Sequence, residues 1–196
     1  MSPLNRQQLD QIRDERREQI KQAALKEFAR RGYKGTKTSS IAKEAGISEG
    51  LIYRYFQSKD ELFITLIQEL MEEAKRELDE AQHVPGTPYE QIRSLTENML
   101  NPQDKYSFMF IERARKADDI PEEARQIFAQ LPPGMMTDLL VPVFMKGQEL
   151  GEFSPGDPRK ILSWYLTILN SLIVQDEGDE KYGLPDADTL MRFLTK

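Results

Sequence analysis

Apolar residues recur at helical spacing along nearly the whole chain. Ile20, Ala24 and Phe28 lie four apart, with Ala23 and Leu25 beside them, and mark an amphipathic helix over Arg13–Arg31. Gly32 follows where a left-handed residue commonly ends a helix. The polar residues before Arg13, with scattered Leu4, Leu9 and Ile12, read as an extension of this helix or a loose tail. From Ser39 to Phe56 the apolar positions shrink to Ile41, Ala45, Ile47, Ile52 and Tyr55, which fits two short helices around a turn. Leu62, Leu66, Leu70, Ala74 and Leu78 then repeat every four residues, predicting a long helix to about Ala81.

The start signals that follow are local and chemical. Ser58 and Glu61 stand at capping-box spacing, as do Thr87 and Glu90. Asn101-Pro102 and Asp157-Pro158 pair a capping residue with proline at the first helical position, opening helices to about Ala117 and Gln175. Pro121 precedes Glu122 and Glu123, acids in a favourable first turn, and Pro132-Pro133-Gly134 ends that helix. Met135–Leu150 resumes with Met136, Leu140, Phe144 and Gly147 on one face and a kink expected at Pro142. Asp186–Thr195 closes the chain as a short helix carrying Leu190, Met191 and Leu194. No stretch alternates as a strand does. The predicted class is all-α, with a head over residues 1–60 and a helical body over 61–196.

The Ser39–Phe56 stretch carries a helix-turn-helix pattern. Ile41 and Ala45 face inward one turn apart, and small Ala42 lets the second helix approach. Gly46 supplies the turn backbone, and Ser48 is placed to cap the next helix, whose apolar side is Leu51, Ile52 and Tyr55. Glu49, Gly50, Tyr53 and Arg54 are left on the outer side, a surface able to enter a major groove. With Ser48 they are the expected base-edge group. Thr36, Lys37, Thr38, Ser39, Tyr55 and Lys59 are expected at phosphates, which fix orientation without reading sequence. Lys59 sits in a first helical turn, where a cation opposes the helix dipole unless a phosphate docks there.

Charge sharpens this reading. The net charge is −6, yet residues 1–60 hold 13 Lys and Arg against 8 Asp and Glu, while the remainder holds 14 against 25. A basic head on an acidic body suits double-stranded DNA as the partner. The chain has one His, His83, in a predicted loop, and no Cys. Nucleophile–base pairs and soft metal sites therefore lack material, no glycine-rich phosphate loop occurs, and the expectation is a non-enzyme with no metal or cofactor. The absence of Cys, of a leader pattern and of a long apolar run makes a cytoplasmic protein without membrane contact the expectation.

In the body, Met99, Phe108, Ile111, Phe128, Met136, Leu140, Phe144 and Trp164 are the candidate lining of an adaptable apolar pocket, with Glu112 and Arg115 as polar anchors. The Arg159 helix is apolar on several sides. Either it is a central core helix, or it meets its twin in a second subunit, with Leu162, Tyr165, Leu166, Leu169 and Ile173 joined by Leu190 and Leu194 as the dimer interface.

The pieces Gly32-Tyr33, IAKEAGIS at Ile41–Ser48 and the LIYRYF…K run at Leu51–Lys59 resemble the DNA-binding region of the TetR family of bacterial repressors. The resemblance covers about the first third of the chain. It implies a three-helix DNA-binding head followed by a helical ligand-binding and dimerisation domain. It further implies a homodimeric repressor that binds a palindromic operator and is released by a small, largely apolar effector. Residues matching Tyr53, Tyr55 and Lys59 are implied to touch the DNA backbone, and the position of Glu49 to tune operator choice. Relatives often carry Ser or Thr where Lys37 stands and an acid where Ser40 stands, and this chain has neither. The reading from another class is an acidic helical adaptor that docks a protein partner through the apolar face of the Arg159 helix.

Overall fold

The computed structural model of the chain describes residues 6–81, 86–101, 104–130, 134–174 and 183–195. His83, Pro102, the Pro132-Pro133 pair and Gln175 lie outside them, as do Leu4 and the side chains of Leu9 and Leu78. The described residues are helical, without strands. The helices are α1 (Arg6–Gly35), α2 (Thr38–Glu44), α3 (Glu49–Ile52), α4 (Lys59–Ala81), α5 (Pro88–Leu100), α6 (Lys105–Lys116), α7 (Glu122–Ala129), α8 (Met135–Glu149), α9 (Pro158–Ile173) and α10 (Ala187–Met191).

Residues 6–12 are a helical extension of α1, which breaks at Gly32, with φ 69° and ψ 175°. Ile20, Ala24 and Phe28 are buried, and they share one core with Ile41, Ala45, Ile52 and Phe56 of the α2–α3 region. The first half of α4 joins it through Leu62, Phe63, Leu66 and Ile67. Rings carry this core into the body. Phe63 meets Phe28 edge-on at 4.9 Å and Phe110 of α6 at 5.1 Å. Such geometries add to burial because ring edges face ring faces. Head and body therefore meet through packed side chains, most extensively where α1 lies against α6.

The local start signals act as read. Thr87 and Glu90 close a capping box on α5. Asp157 accepts from the Arg159 and Lys160 amides of α9, and Asp186 from the Thr189 amide of α10. At α4, Ser58 Oγ accepts from the Glu61 amide at 3.0 Å, but the Glu61 carboxylate reaches the Gln57 amide, one residue outside the box. Two caps are absent. Lys37 precedes α2 and Ser48 precedes α3 without a side-chain capping bond, so the expected Ser48 cap is not formed. Pro142 lies inside its helix, as read. α8 runs through it from Met135 to Glu149, with the proline on the exposed side.

The body is built on α5, α8 and α9. Gly147 of α8 is a packing requirement: a Cβ there would lie 2.3 Å from the Phe153 ring. Phe153 in turn stacks on Phe144 at 4.7 Å. Tyr165 of α9 and Thr96 of α5 share a buried hydroxyl hydrogen bond of 2.6 Å, which satisfies both polar groups inside the core.

Candidate nucleic-acid interface

The α2–α3 unit presents one outer face. Ile52 and Phe56 point inward, while Lys37, Ser39, Ser48, Glu49, Gly50, Tyr53 and Arg54 are exposed. Tyr53 stands 51% exposed, and its hydroxyl lies 3.2 Å from Thr38 Oγ1 at the start of α2. One hydroxyl pair thus bridges the entry of one helix and the end of the next. Around it stand Arg54 and Lys37 as cations and Gly50 as a point where backbone can approach closely.

The turn that sets this face is tight. Gly46 has φ 64°, where a side chain would strain the backbone. Its amide donates to Lys43 O, and the Ile47 amide to Ala42 O. Two side chains of α1 finish the job from behind. Gln19 Nε2 donates to Ala45 O at 2.6 Å, at the end of α2. The Arg17 guanidinium lies 4.4 Å from the Phe56 ring centre and donates to Tyr55 O at 3.4 Å. These are the loose carbonyls that helix ends leave unsatisfied. Neither residue was singled out from the sequence. They sit on the polar side of an amphipathic helix, and nothing in the periodicity says that the polar side is facing a neighbour.

Two of the expected phosphate residues, Thr36 and Lys59, are placed differently. Thr36 is buried, and its hydroxyl bonds Gly32 O at 2.7 Å and Glu27 O at 3.1 Å. It closes the end of α1 and has no surface to offer a phosphate. Tyr55 is half-buried against the core, as its place on the apolar side of the second helix implies. Lys59 turns its ammonium back on α1, donating to Tyr33 O at 2.9 Å and Thr36 O at 3.1 Å, and sits 4.1 Å from the Tyr33 ring centre. The Tyr33 hydroxyl donates to Asp60. Partial burial and that carboxylate push the phenol above its usual range. Lys59, Tyr33 and Asp60 thus clasp the start of α4 to the end of α1.

The body residues are rearranged as well. Met99 and Phe144 are buried within the core, and Phe108, Ile111, Phe128 and Leu140 pack against it. Met136 is half-buried. The expected polar anchors spend their charge on their own helix: Glu112 pairs with Arg115 at 3.1 Å and Lys116 at 3.1 Å. Trp164 is no lining residue, standing 57% exposed on α9. The expected dimer face is the reverse of the exposed one. Leu162, Tyr165, Leu166, Leu169 and Ile173 are buried in the chain's own core, as is Leu194, with Leu190 packed against it. The outward stripe of α9 is Ser163, Trp164, Thr167, Ile168 and Ser171.

Residues 20–66 match the model of the bacterial regulatory proteins of the tetR family. The HTH-type transcriptional regulator YfiR of Bacillus subtilis is 26% identical over 170 residues, covering 84% of this chain and 80% of that protein. The regulator YhgD of the same organism is 39% identical over 75 residues, covering 38% of this chain and 39% of its own. Among solved structures, the transcriptional regulator FadR from Bacillus subtilis in complex with stearoyl-CoA superposes with a TM-score of 0.61 at 23% identity, over 91% of this chain and 97% of that one. AibR in complex with isovaleryl coenzyme A and operator DNA gives 0.63 at 19% identity, over 90% and 94%. The body is thus shared as a fold, while the head is shared in its residues. An inward row at Ile41, Ala45, Ile52 and Phe56, a glycine turn and an exposed polar face make residues 20–66 a helix-turn-helix region of the tetR family of bacterial regulatory proteins.

Proposed function

We propose that the chain is a homodimeric repressor whose two heads bind a palindromic operator and whose body, residues 61–196, releases the DNA when a small, largely apolar effector binds. The observation that carries this reading is the exposed face of α2 and α3. Tyr53 and Arg54, the two residues after buried Ile52, are solvent-facing. In this reading Ser48, Glu49, Gly50, Tyr53 and Arg54 meet base edges and the flanking backbone. Lys37, Thr38 and Ser39 hold phosphates, and Lys59 orients the head. A two-fold partner lets the two heads reach successive major grooves, about 34 Å apart.

The dimer forms through the outward stripe of α9, where Trp164 and Ile168 are exposed. Two structural neighbours hold acyl-CoA thioesters, which makes compounds with an acyl chain the first effector class to offer. Selection of bound duplexes from a random pool tests the core of the reading. The expected product is an inverted repeat, bound with an affinity that falls steeply with salt and drops at least tenfold in Arg54→Ala. Failure to enrich any sequence at low salt refutes it.

A further inference from the structure

From Lys37 to Glu61 the chain carries four carboxylates, and three of them are engaged. Glu44 pairs with Lys26 at 3.6 Å, Asp60 accepts from the Tyr33 hydroxyl, and Glu61 accepts from the Gln57 amide. Glu49 is the exception. It is exposed, it is the first residue of α3, and it has no hydrogen-bond or ion-pair partner among the described residues. Gly50 beside it carries no side chain, and a Cβ there would meet nothing within 4 Å. Tyr53, one turn further along the same face, is likewise exposed. The leading residues of a recognition helix are the ones that reach base edges. A carboxylate in that place is a cost unless something in the groove satisfies it. It repels phosphates, and it loses water as the face closes on the duplex.

The major groove offers a carboxylate two donors, the exocyclic amines of adenine and cytosine. Guanine presents O6 and N7 and thymine presents O4, acceptors that a carboxylate repels. Adenine sets its N7 acceptor beside the amine, where it meets the second carboxylate oxygen. Cytosine presents its N4 amine with no acceptor of its own in the groove. We infer that Glu49 reads cytosine, its carboxylate accepting from the N4 amine, and so demands one C·G pair in each half-site. The inference rests on the repressor reading above and adds the base that this residue selects. It also gives the acid a task that the neighbouring cation does not perform. Lys37 attracts any duplex, whereas an unpaired carboxylate discriminates by the sites it refuses.

The test is selection of duplexes from a random pool by the full parent chain, by Glu49→Gln and by Glu49→Ala, followed by affinities on the selected sequences. Glu49 is exposed and unpaired, so both variants should keep the parent's melting temperature. The parent should enrich an inverted repeat with cytosine at one fixed position of each half-site. Glu49→Gln should replace that cytosine by adenine on the same strand, because an amide accepts from N6 and donates to N7 together, and should leave the other positions as they were. Glu49→Ala should lose the preference at that position. Replacing the C·G pair by T·A should weaken the parent about tenfold or more and Glu49→Ala less than about twofold. The inference is overturned when both variants keep the parent's preference at every position, or when the position that changes is not cytosine in the parent. It is overturned too when both variants bind every duplex more tightly by one factor, which marks Glu49 as a charge that only repels phosphates. In each of those cases the enriched inverted repeat leaves the repressor reading standing. A parent chain that enriches no sequence at low salt removes both.

Discussion

Lys59 is a cation at the wrong end of a helix dipole, and its surroundings explain why it is tolerated. Its ammonium takes two carbonyls at the end of α1 and one ring face, so the partial positive charge of α4 is offset by the partial negative charge of α1. The expected effect of Lys59→Met follows. Two carbonyls lose a charged donor, which costs about 1.5–3 kcal/mol each at most and less where water replaces it. The melting temperature should fall. Operator affinity should fall alike for all sequences, with the slope of log affinity against log salt unchanged. Loss of a phosphate contact instead lowers that slope by about 1, so a salt titration of both proteins decides between the two roles. Glu27 is the opposite case. It is buried, its Oε2 takes no hydrogen bond, and Arg31 Nε stands 3.3 Å away from a largely exposed side chain. A buried carboxylate with one weak partner loses more in desolvation than it recovers. Glu27→Met should raise stability by about 1 kcal/mol in denaturant unfolding; a lower midpoint refutes that assessment.

At the level of elements, what the sequence revealed was what neighbours in sequence decide. Thr87, Asp157 and Asp186 cap their helices because the partner amides lie two or three residues away. Which polar side chain faces a second helix depends on the tertiary arrangement. Arg17, Gln19 and Lys21 of α1 look alike as surface positions, yet each reaches another element. Lys21 joins α1 to α4, with Glu18 at 2.7 Å and Glu69 at 2.6 Å. Burial works against the charge on Lys21, but the two carboxylates outweigh it and raise its pKa. Burial likewise opposes ionisation of Glu18, and hydrogen bonds from Lys21 and Gln22 outweigh it and lower its pKa. The lowered carboxylate stabilises the fold above its unfolded value, about 4.3, and that contribution fades as pH falls through the folded value. The raised amine stabilises below its unfolded value, about 10.4, and that contribution fades as pH rises through the folded one. The tie is therefore complete at neutral pH. Lys21→Met should lower the melting temperature at pH 7, with the gap to the parent chain narrowing by pH 3. A gap that does not change with pH refutes the ionic origin.

At the scale of the whole molecule, α9 decides whether the chain is a pair of heads or a single one. Its sequence is apolar on several sides, and periodicity alone cannot tell the side covered by the chain itself from the side left over. The structure covers Leu162, Tyr165, Leu166, Leu169 and Ile173 and leaves Trp164 and Ile168 outward, the latter 40% exposed. Adjacent residues should therefore behave in opposite ways. Leu169→Asp places an unpaired charge in the core and should cost more than about 3 kcal/mol, enough to abolish cooperative unfolding. Ile168→Asp leaves the core intact. It should keep the parent helical signal and melting behaviour at low concentration, yet shift the mass by light scattering from dimer to monomer. Operator affinity should drop with it, because two linked heads gain by effective concentration what one head lacks. A monomeric parent chain, or an Ile168→Asp variant that still dimerises and binds as tightly, moves the two-fold axis away from α9, leaving the exposed tryptophan for a different partner.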